Sequence, residues 1–491
     1  MSLIFRDSIG YLIAMYSSRL LSFICKIIIA RLLGPGDYGL WSMLALILLY
    51  GNFLDLGLVY ALVKQVPFYR GKGQIQEINV IRSTIFASIT LISTIVGIAI
   101  LTFYSIYFGK YGNNLSLTIS LLSLVLILQQ AKNYFLSYFV AEKNFQAVSL
   151  LIICLAFLNA ILTISLVIKF SLVGLPLGLA FGYFLVLLYI FYKYRPTFKF
   201  YIDTKKLLTL LKIGFPIMLI AINYAIFFTI DRVLIFKYMG KENLGYYGIA
   251  SALNGLLILF PASLGVMIFP RLSEKFGAEG EAKNLKESIY MPTIMLSYFM
   301  PILLGIIYLL LPTAVKIFIP QYLPGVNAGK IALMGIMFLS TSLFAQKFLI
   351  VINKQVHCLF IILFALLLKI VIIYIFITRQ MGIEGVALAA NIVYFVFSAF
   401  IIMYASYYYK NNLLESVKYL IKIYLPFVYL LLIFIGFGYF KSIPILNIGN
   451  DVRHIYIDFI TLVILVLVPF GYFIKKNLST YLSLNIHQNK N

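Results

Sequence analysis

Ionisable side chains set inside long apolar runs are the residues of this sequence that could do chemistry, since each costs about 2.5–3.5 kcal/mol at the centre of a membrane helix and so calls for a use. Arg19 and Lys26 stand in the run 8–30. Seven residues make two helical turns, about 10 Å, and bring both cations to nearly one face. With Ser22 and Phe23 between them they form a polar stripe on an otherwise apolar helix, suited to a cavity that binds a diphosphate or an anionic sugar. The competing uses are snorkelling to the interface and pairing with carboxylates of neighbouring helices.

Asp231 and Arg232 lie near the end of the run 211–236. Adjacent helical residues point about 100° apart and cannot share a face. Arg232 is therefore a candidate for binding substrate, while Asp231 is a candidate for ion coupling or for an interhelical charge pair. Lys369, central in the run 357–377, has no acidic neighbour in sequence; either it binds substrate in a cavity or its partner is distant along the chain. Asp55, three residues after Asn52, suits a coupling cation or proton, or charge pairing with Arg19 or Lys26.

Other polar groups suit packing better than binding. Gln129, Gln130 and Lys132 fall at the end of a span, placed to meet a head group or to snorkel, whereas Asn159, Asn223 and Asn391 suit interhelical hydrogen bonds. Pro216, Pro261 and Pro301 mark expected helix kinks and hinges. Asp451, Arg453 and His454 resemble catalytic groups but read as a solvated loop. The 3 histidines and 3 cysteines show no metal-ligand spacing, and Gly71-Lys72-Gly73 lacks the frame of a phosphate-binding loop. The expectation is a protein without catalytic centre, metal or cofactor, and not an enzyme.

Composition shows which kind of helix carries these residues. The chain has 491 residues, 63% apolar and 11% charged, with a mean hydropathy of +1.01, against roughly 45–50% apolar and 25% charged in a soluble domain. Apolar runs fall at 8–30, 40–63, 83–108, 115–139, 147–169, 172–192, 211–236, 244–269, 289–311, 328–350, 357–377, 383–408, 420–440 and 456–474, which makes 14. Each approximates the ~20 residues needed to cross about 30 Å of hydrocarbon. The fold class is all-α: a polytopic membrane protein with about 14 transmembrane helices. A backbone in lipid must satisfy its own hydrogen bonds, and the runs lack the alternation of a membrane barrel.

With the N-terminus inside, the cytoplasmic segments carry 23 Lys and Arg and the opposite side 10, so the positive-inside rule places both termini in the cytoplasm. The net charge of +23 then reflects topology and does not call for nucleic acid. The first run, interrupted by Arg19 and Lys26, is too long for a cleaved signal peptide.

An internal repeat organises the helices. Gly34 and Gly39 recur as Gly240 and Gly245 at an offset of 206, which also sets Lys26 against Arg232. Lys143 and Lys354, Gly174 and Gly385, and Tyr183-Phe184 and Tyr394-Phe395 recur at 211, a drift that a loop insertion explains. A six-helix unit keeps both copies in one orientation about an axis along the membrane normal. The expected organisation is a lobe over 1–196, a cytoplasmic linker over 197–212, a second pseudo-symmetric six-helix lobe over 213–410, and two additional helices with a cytoplasmic tail over 411–491.

The turn Arg31-Leu32-Leu33-Gly34-Pro35-Gly36-Asp37-Tyr38-Gly39, its echo at Gly240 to Gly245 and the preceding Asp231-Arg232 resemble those of the Wzx-type O-antigen and capsular repeat-unit flippases, the polysaccharide branch of the MOP exporter superfamily. The resemblance spans 8–476. It implies the MOP fold, residence in the bacterial cytoplasmic (inner) membrane, and alternating-access translocation of undecaprenyl-diphosphate-linked oligosaccharide between leaflets. It also brings in membrane lipids and the polysaccharide polymerase and chain-length machinery as partners. Ser18 to Phe23 is similar to the first-helix segment of lipid II flippases, which keeps that substrate as an alternative. A multidrug or cation exporter of the superfamily would need buried carboxylates, and a membrane polymerase or ligase a sizeable outward loop; the sequence disfavours both.

Overall fold

Helix is the only regular backbone among the described residues, 2–108, 113–195, 200–279, 281–410 and 412–441 of the computed structural model, as a chain of lipid-embedded apolar runs requires. The helices are α1 (Ser2–Gly51), α2 (Leu58–Gly71), α3 (Ile75–Phe108), α4 (Asn113–Ala141), α5 (Phe145–Phe170), α6 (Gly174–Tyr194), α7 (Thr204–Leu257), α8 (Leu259–Glu279), α9 (Lys286–Phe318), α10 (Val326–Val351), α11 (Gln355–Thr378), α12 (Gly382–Lys410) and α13 (Leu413–Lys441). Among the described residues, 9 continuous segments are long and apolar enough to cross a membrane, several of them joining two expected spans. The chain is a multi-pass membrane protein. The expected span 456–474 and the group Asp451, Arg453 and His454 lie outside the described residues.

α1 and α7 each hold two limbs bent at a glycine, Gly34 (φ 76°, ψ 170°) and Gly240 (φ 85°, ψ 176°). These two repeat partners share one left-handed backbone conformation that disfavours any residue with a Cβ. The bends meet. A Cβ on Gly39 would lie 1.7 Å from the Lys241 carbonyl oxygen, and one on Gly245 would lie 1.9 Å from that of Pro35. Both pairs obey the offset of 206, so the contact is reciprocal about the axis of the repeat.

Further along, Lys143 (φ 57°) and Asn353 (φ 58°) occupy matching turns. The Asn144 N–H donates to the Phe139 carbonyl and the Lys354 N–H to that of Leu349, the left-handed helix stop expected after a final turn. The register at these turns is 210 and not 211: Lys143 matches Asn353, and Lys354 matches Asn144.

Two expected spans are not continuous helices. The run 244–269 breaks between α7 and α8. The run 40–63 breaks between α1 and α2, where Leu56 (φ 51°) and Gly57 (φ 84°) turn the chain. Asp55 sits in that turn and accepts the N–H groups of Gly57 at 3.2 Å and Val59 at 3.0 Å, satisfying the free donors of α2. The last carbonyls of α1 are taken up from α4: Gln129 Nε2 donates to the Leu48 carbonyl at 2.9 Å and to Asn52 Oδ1 at 2.7 Å, and Gln130 donates to Gly51. Gln129 and Gln130 are thus buried structural amides. Asp55→Ala is expected to lower stability by about 1–2 kcal/mol, as a lost cap does, while Asp55→Asn keeps an acceptor and should stay near wild type. Thermal unfolding of both variants checks this; an Asp55→Asn protein as unstable as Asp55→Ala would show that the cap needs the charge.

The described chain packs as two compact units, Met1–Ala252 with Phe318–Gly325, and Leu253–Ile317 with Val326–Asn491. The boundary falls after Ala252, beyond the 197–212 linker, so most of α7 belongs with α1 to the first unit. In the first unit α5 lies between α1 and α6, and α4 packs on α3 and α6. In the second, α12 packs on α10, α11 and α13.

Candidate functional site

The first limb of α1 has two unlike faces. Cys25 and Ile29 pack against Ala160 and Val167 of α5, with Cys25 Sγ 3.6 Å from Thr163 Oγ1. The stripe turned away from α5, Arg19, Ser22 and Lys26, is exposed. The Ser22 hydroxyl donates to the Ser18 carbonyl at 2.7 Å, so the stripe's free groups are its cations. α7 brings a third cation, the half-buried Arg232, so that Lys26 experiences the repulsion of both Arg232 and Arg19. The two helices are aligned by the glycine crossing and by a 2.6 Å hydrogen bond between the hydroxyls of Tyr50 and Thr229.

The described ion pairs, Arg70 and Arg82 with Glu142 and Lys206 with Glu77, include none of these three cations. Arg232 Nε is buried and makes no hydrogen bond, an orphaned donor of the kind that costs about 1–3 kcal/mol. Two unit charges about 10 Å apart at an effective dielectric of about 20 repel by about 1.5 kcal/mol. Such an arrangement is poor for stability and good for capturing a multiply charged anion, whose oxygens would satisfy Nε and relieve the repulsion through charge-assisted hydrogen bonds.

Asp231 points elsewhere, as its position beside Arg232 predicts. Its carboxylate is buried and accepts the backbone N–H of Arg232 at 3.1 Å and the Tyr247 hydroxyl at 2.8 Å. The second bond spans the Gly240 bend and ties the two limbs of α7. A comparable tie closes the first limb of α1. Pro35 has no N–H, so the Arg31 carbonyl lacks its helical donor; Gln321 Nε2 supplies one at 2.7 Å, and the Tyr322 hydroxyl donates to Ala30 at 3.0 Å. Neither Tyr247 nor Gln321 carries a sequence signal, because their partners lie 16 and 290 residues away.

Lys369 belongs to the second unit and has no exposed surface. Its ammonium lies 3.3 Å from the Tyr394 hydroxyl and 5.0 Å from that ring's centre, a partner 25 residues away along the chain. Lys132 covers Tyr183, the repeat partner of Tyr394, at 4.9 Å. Asn391 donates to the Ile331 carbonyl and joins α12 to α10, while Asn223 donates within its own helix. The interior prolines lie within α7, α8 and α9, but the sharp backbone departures are at Gly34 and Gly240. Lys347 of α10, half-buried over the Phe269 ring at 5.7 Å, is an intramembrane cation legible in the run 328–350 yet not singled out by spacing.

Residues 4–276 match the family described as polysaccharide biosynthesis protein. A curated relative, the uncharacterized membrane protein MJ1375 of Methanocaldococcus jannaschii, is 28% identical over 243 residues; the match takes in 47% of this chain and 57% of that protein. Among solved structures, an inward-facing multidrug resistance MATE family transporter of the MOP superfamily aligns with a TM-score of 0.69 at 14% identity, covering 82% of this chain and 96% of that one. The lipid II flippase MurJ in an inward closed conformation aligns at 0.66 and 15% identity, covering 96% of this chain and 100% of that one. These likenesses establish the MOP fold.

Proposed function

Since the chain belongs to the polysaccharide biosynthesis protein family, we propose that it is a flippase carrying undecaprenyl-diphosphate-linked oligosaccharide units from the inner to the outer leaflet of the bacterial cytoplasmic membrane. The observation that carries this reading is the group of three unneutralised cations, Arg19, Lys26 and Arg232, within one packed unit. The physical problem of flipping is to move a charged, hydrated head group past hydrocarbon while the prenyl tail stays in lipid. Guanidinium and ammonium groups take over the hydrogen bonds that water makes to phosphate. A few cations, not many, allow both loading and release. A hydrophobic cation, the cargo of a multidrug exporter, would be repelled by the same group.

Alternating access by rocking of the two repeat lobes would expose the cations to each side in turn, with both termini in the cytoplasm. In cells lacking the protein, lipid-linked repeat units are expected to accumulate on the inner leaflet. Wild type restores export, Arg19→Lys restores it in part, and Arg19→Ala fails at matched membrane abundance. Normal arrival of units that then stay unpolymerised would overturn the flippase reading in favour of a polymerase.

A further inference from the structure

A second polar site lies at the Lys/Arg-rich end of the first unit, remote in sequence from the cation group. A cavity of about 260 Å³ is lined by Tyr138, Phe139, Glu142, Asn144 and Tyr194. Its walls are aromatic: the Phe139 and Tyr194 ring centres are 4.6 Å apart, those of Tyr138 and Phe139 5.2 Å, and the outer face of Tyr138 is covered by the Arg82 guanidinium at 4.9 Å. Its two polar groups are held in place. Ion pairs from Arg70 and Arg82 fix the Glu142 carboxylate. Asn144 Oδ1 accepts the Ala147 N–H at 3.1 Å as the cap of α5, which leaves the side-chain amide as a donor. The left-handed Lys143 between them turns the chain so that both line one cavity.

We propose that this cavity binds one ring of a neutral sugar. Its place as a loading subsite for the oligosaccharide head group rests on the flippase reading. A pyranose presents an apolar C–H face to an aromatic wall and hydroxyls at its edge. One hydroxyl donates to the Glu142 carboxylate while its neighbour accepts from the Asn144 amide, and pre-fixed partners of this kind bind with little loss of freedom. A free cation fits less well, because two arginines already neutralise Glu142. An apolar ligand would leave the Asn144 amide without an acceptor.

The internal repeat supplies a comparison. The matching turn of the second unit has the same left-handed conformation and the same carbonyl contact, yet Ile352 and Lys354 stand where Glu142 and Asn144 do, and its helix start has no side-chain cap. The turn therefore forms without the acidic and amide pair, which in the first unit serves the two arginines and the cap of α5 and also lines the cavity.

The test uses the purified full-length protein in detergent and saturation-transfer NMR with glucose, galactose, N-acetylglucosamine and rhamnose. Wild type is expected to transfer saturation to the ring C–H protons of at least one of these. Asn144→Asp, which keeps the cap but loses the donor, and Tyr194→Leu, which removes the stacking wall, should each weaken binding at least about tenfold. Asn223→Ala, which alters an amide bonded only within its own helix, should leave it unchanged. No transfer from any of the four sugars, or undiminished transfer in both variants, overturns the proposal. Sugar binding lost in these variants, together with normal arrival of lipid-linked units at the outer leaflet in cells lacking the protein, supports the cavity as a sugar site and sinks the flippase reading instead.

Discussion

Gly39→Ala is expected to prevent accumulation of folded protein, and Gly245→Ala to do the same, whereas Gly34→Ala should be survivable. At Gly39 the added carbon would meet the Lys241 carbonyl oxygen at 1.7 Å and the Gly245 nitrogen at 2.7 Å. Both neighbours are backbone, so relief requires α1 and α7 to part by more than an ångström. That movement breaks the Tyr50–Thr229 hydrogen bond and spoils the packing of Tyr38 on Gly248, whose own Cβ would already lie 3.0 Å from that ring. Overpacking that cannot be absorbed by a side chain costs about 3 kcal/mol or more. Gly34 faces open space, and alanine there bears only the backbone penalty of a positive-φ, extended-ψ conformation, about 1–3 kcal/mol. Membrane abundance of the three variants, with thermal unfolding in detergent of any that accumulate, checks the ranking. A Gly39→Ala protein unfolding within about 2 °C of wild type would show that the two bends are not in contact.

Lys26→Gln is expected to raise thermal stability while lowering translocation more than tenfold. A residue retained for packing shows the opposite sign. The ammonium group makes no described ion pair and is repelled by Arg19 and Arg232, so its removal relieves about 1.5 kcal/mol of repulsion, a gain of a few degrees. In the presence of a diphosphate the balance reverses, since each charge-assisted hydrogen bond is worth about 1.5–3 kcal/mol, roughly 10- to 150-fold in affinity. Arg232→Gln should behave similarly, with an added gain because its Nε no longer stands orphaned. Paired measurements of unfolding temperature and of translocation at several substrate concentrations decide the matter. A fall in stability for both variants would assign the cations to fold-holding contacts and remove the basis of the anion site.

The positions of the helices were legible because lipid leaves an apolar run no alternative to helix. Thirteen of the 14 expected spans fall on the described helices, two of them interrupted. The pairing of Lys26 with Arg232 was legible too, through the glycine repeat that the bends at Gly34 and Gly240 reproduce. The turn that holds Asp55 was not legible, because six turn residues inside an apolar stretch leave hydropathy unchanged and a carboxylate capping α2 looks like one set in the middle of a span.

Where the helices lie, that they repeat, and which cations the repeat brings into correspondence can all be read from the order of the amino acids. These depend on composition along the chain and on spacing within it. Tertiary structure decided what each polar group touches: Asp231 on Tyr247, Lys369 on Tyr394, Gln321 on the carbonyl that Pro35 orphans, and Glu142 held by two arginines beside Asn144. The physical reason is that a hydrogen bond or ion pair acts over about 3 Å in space with no preference for separation along the chain. Its partner becomes known only when the helices that carry both ends have packed.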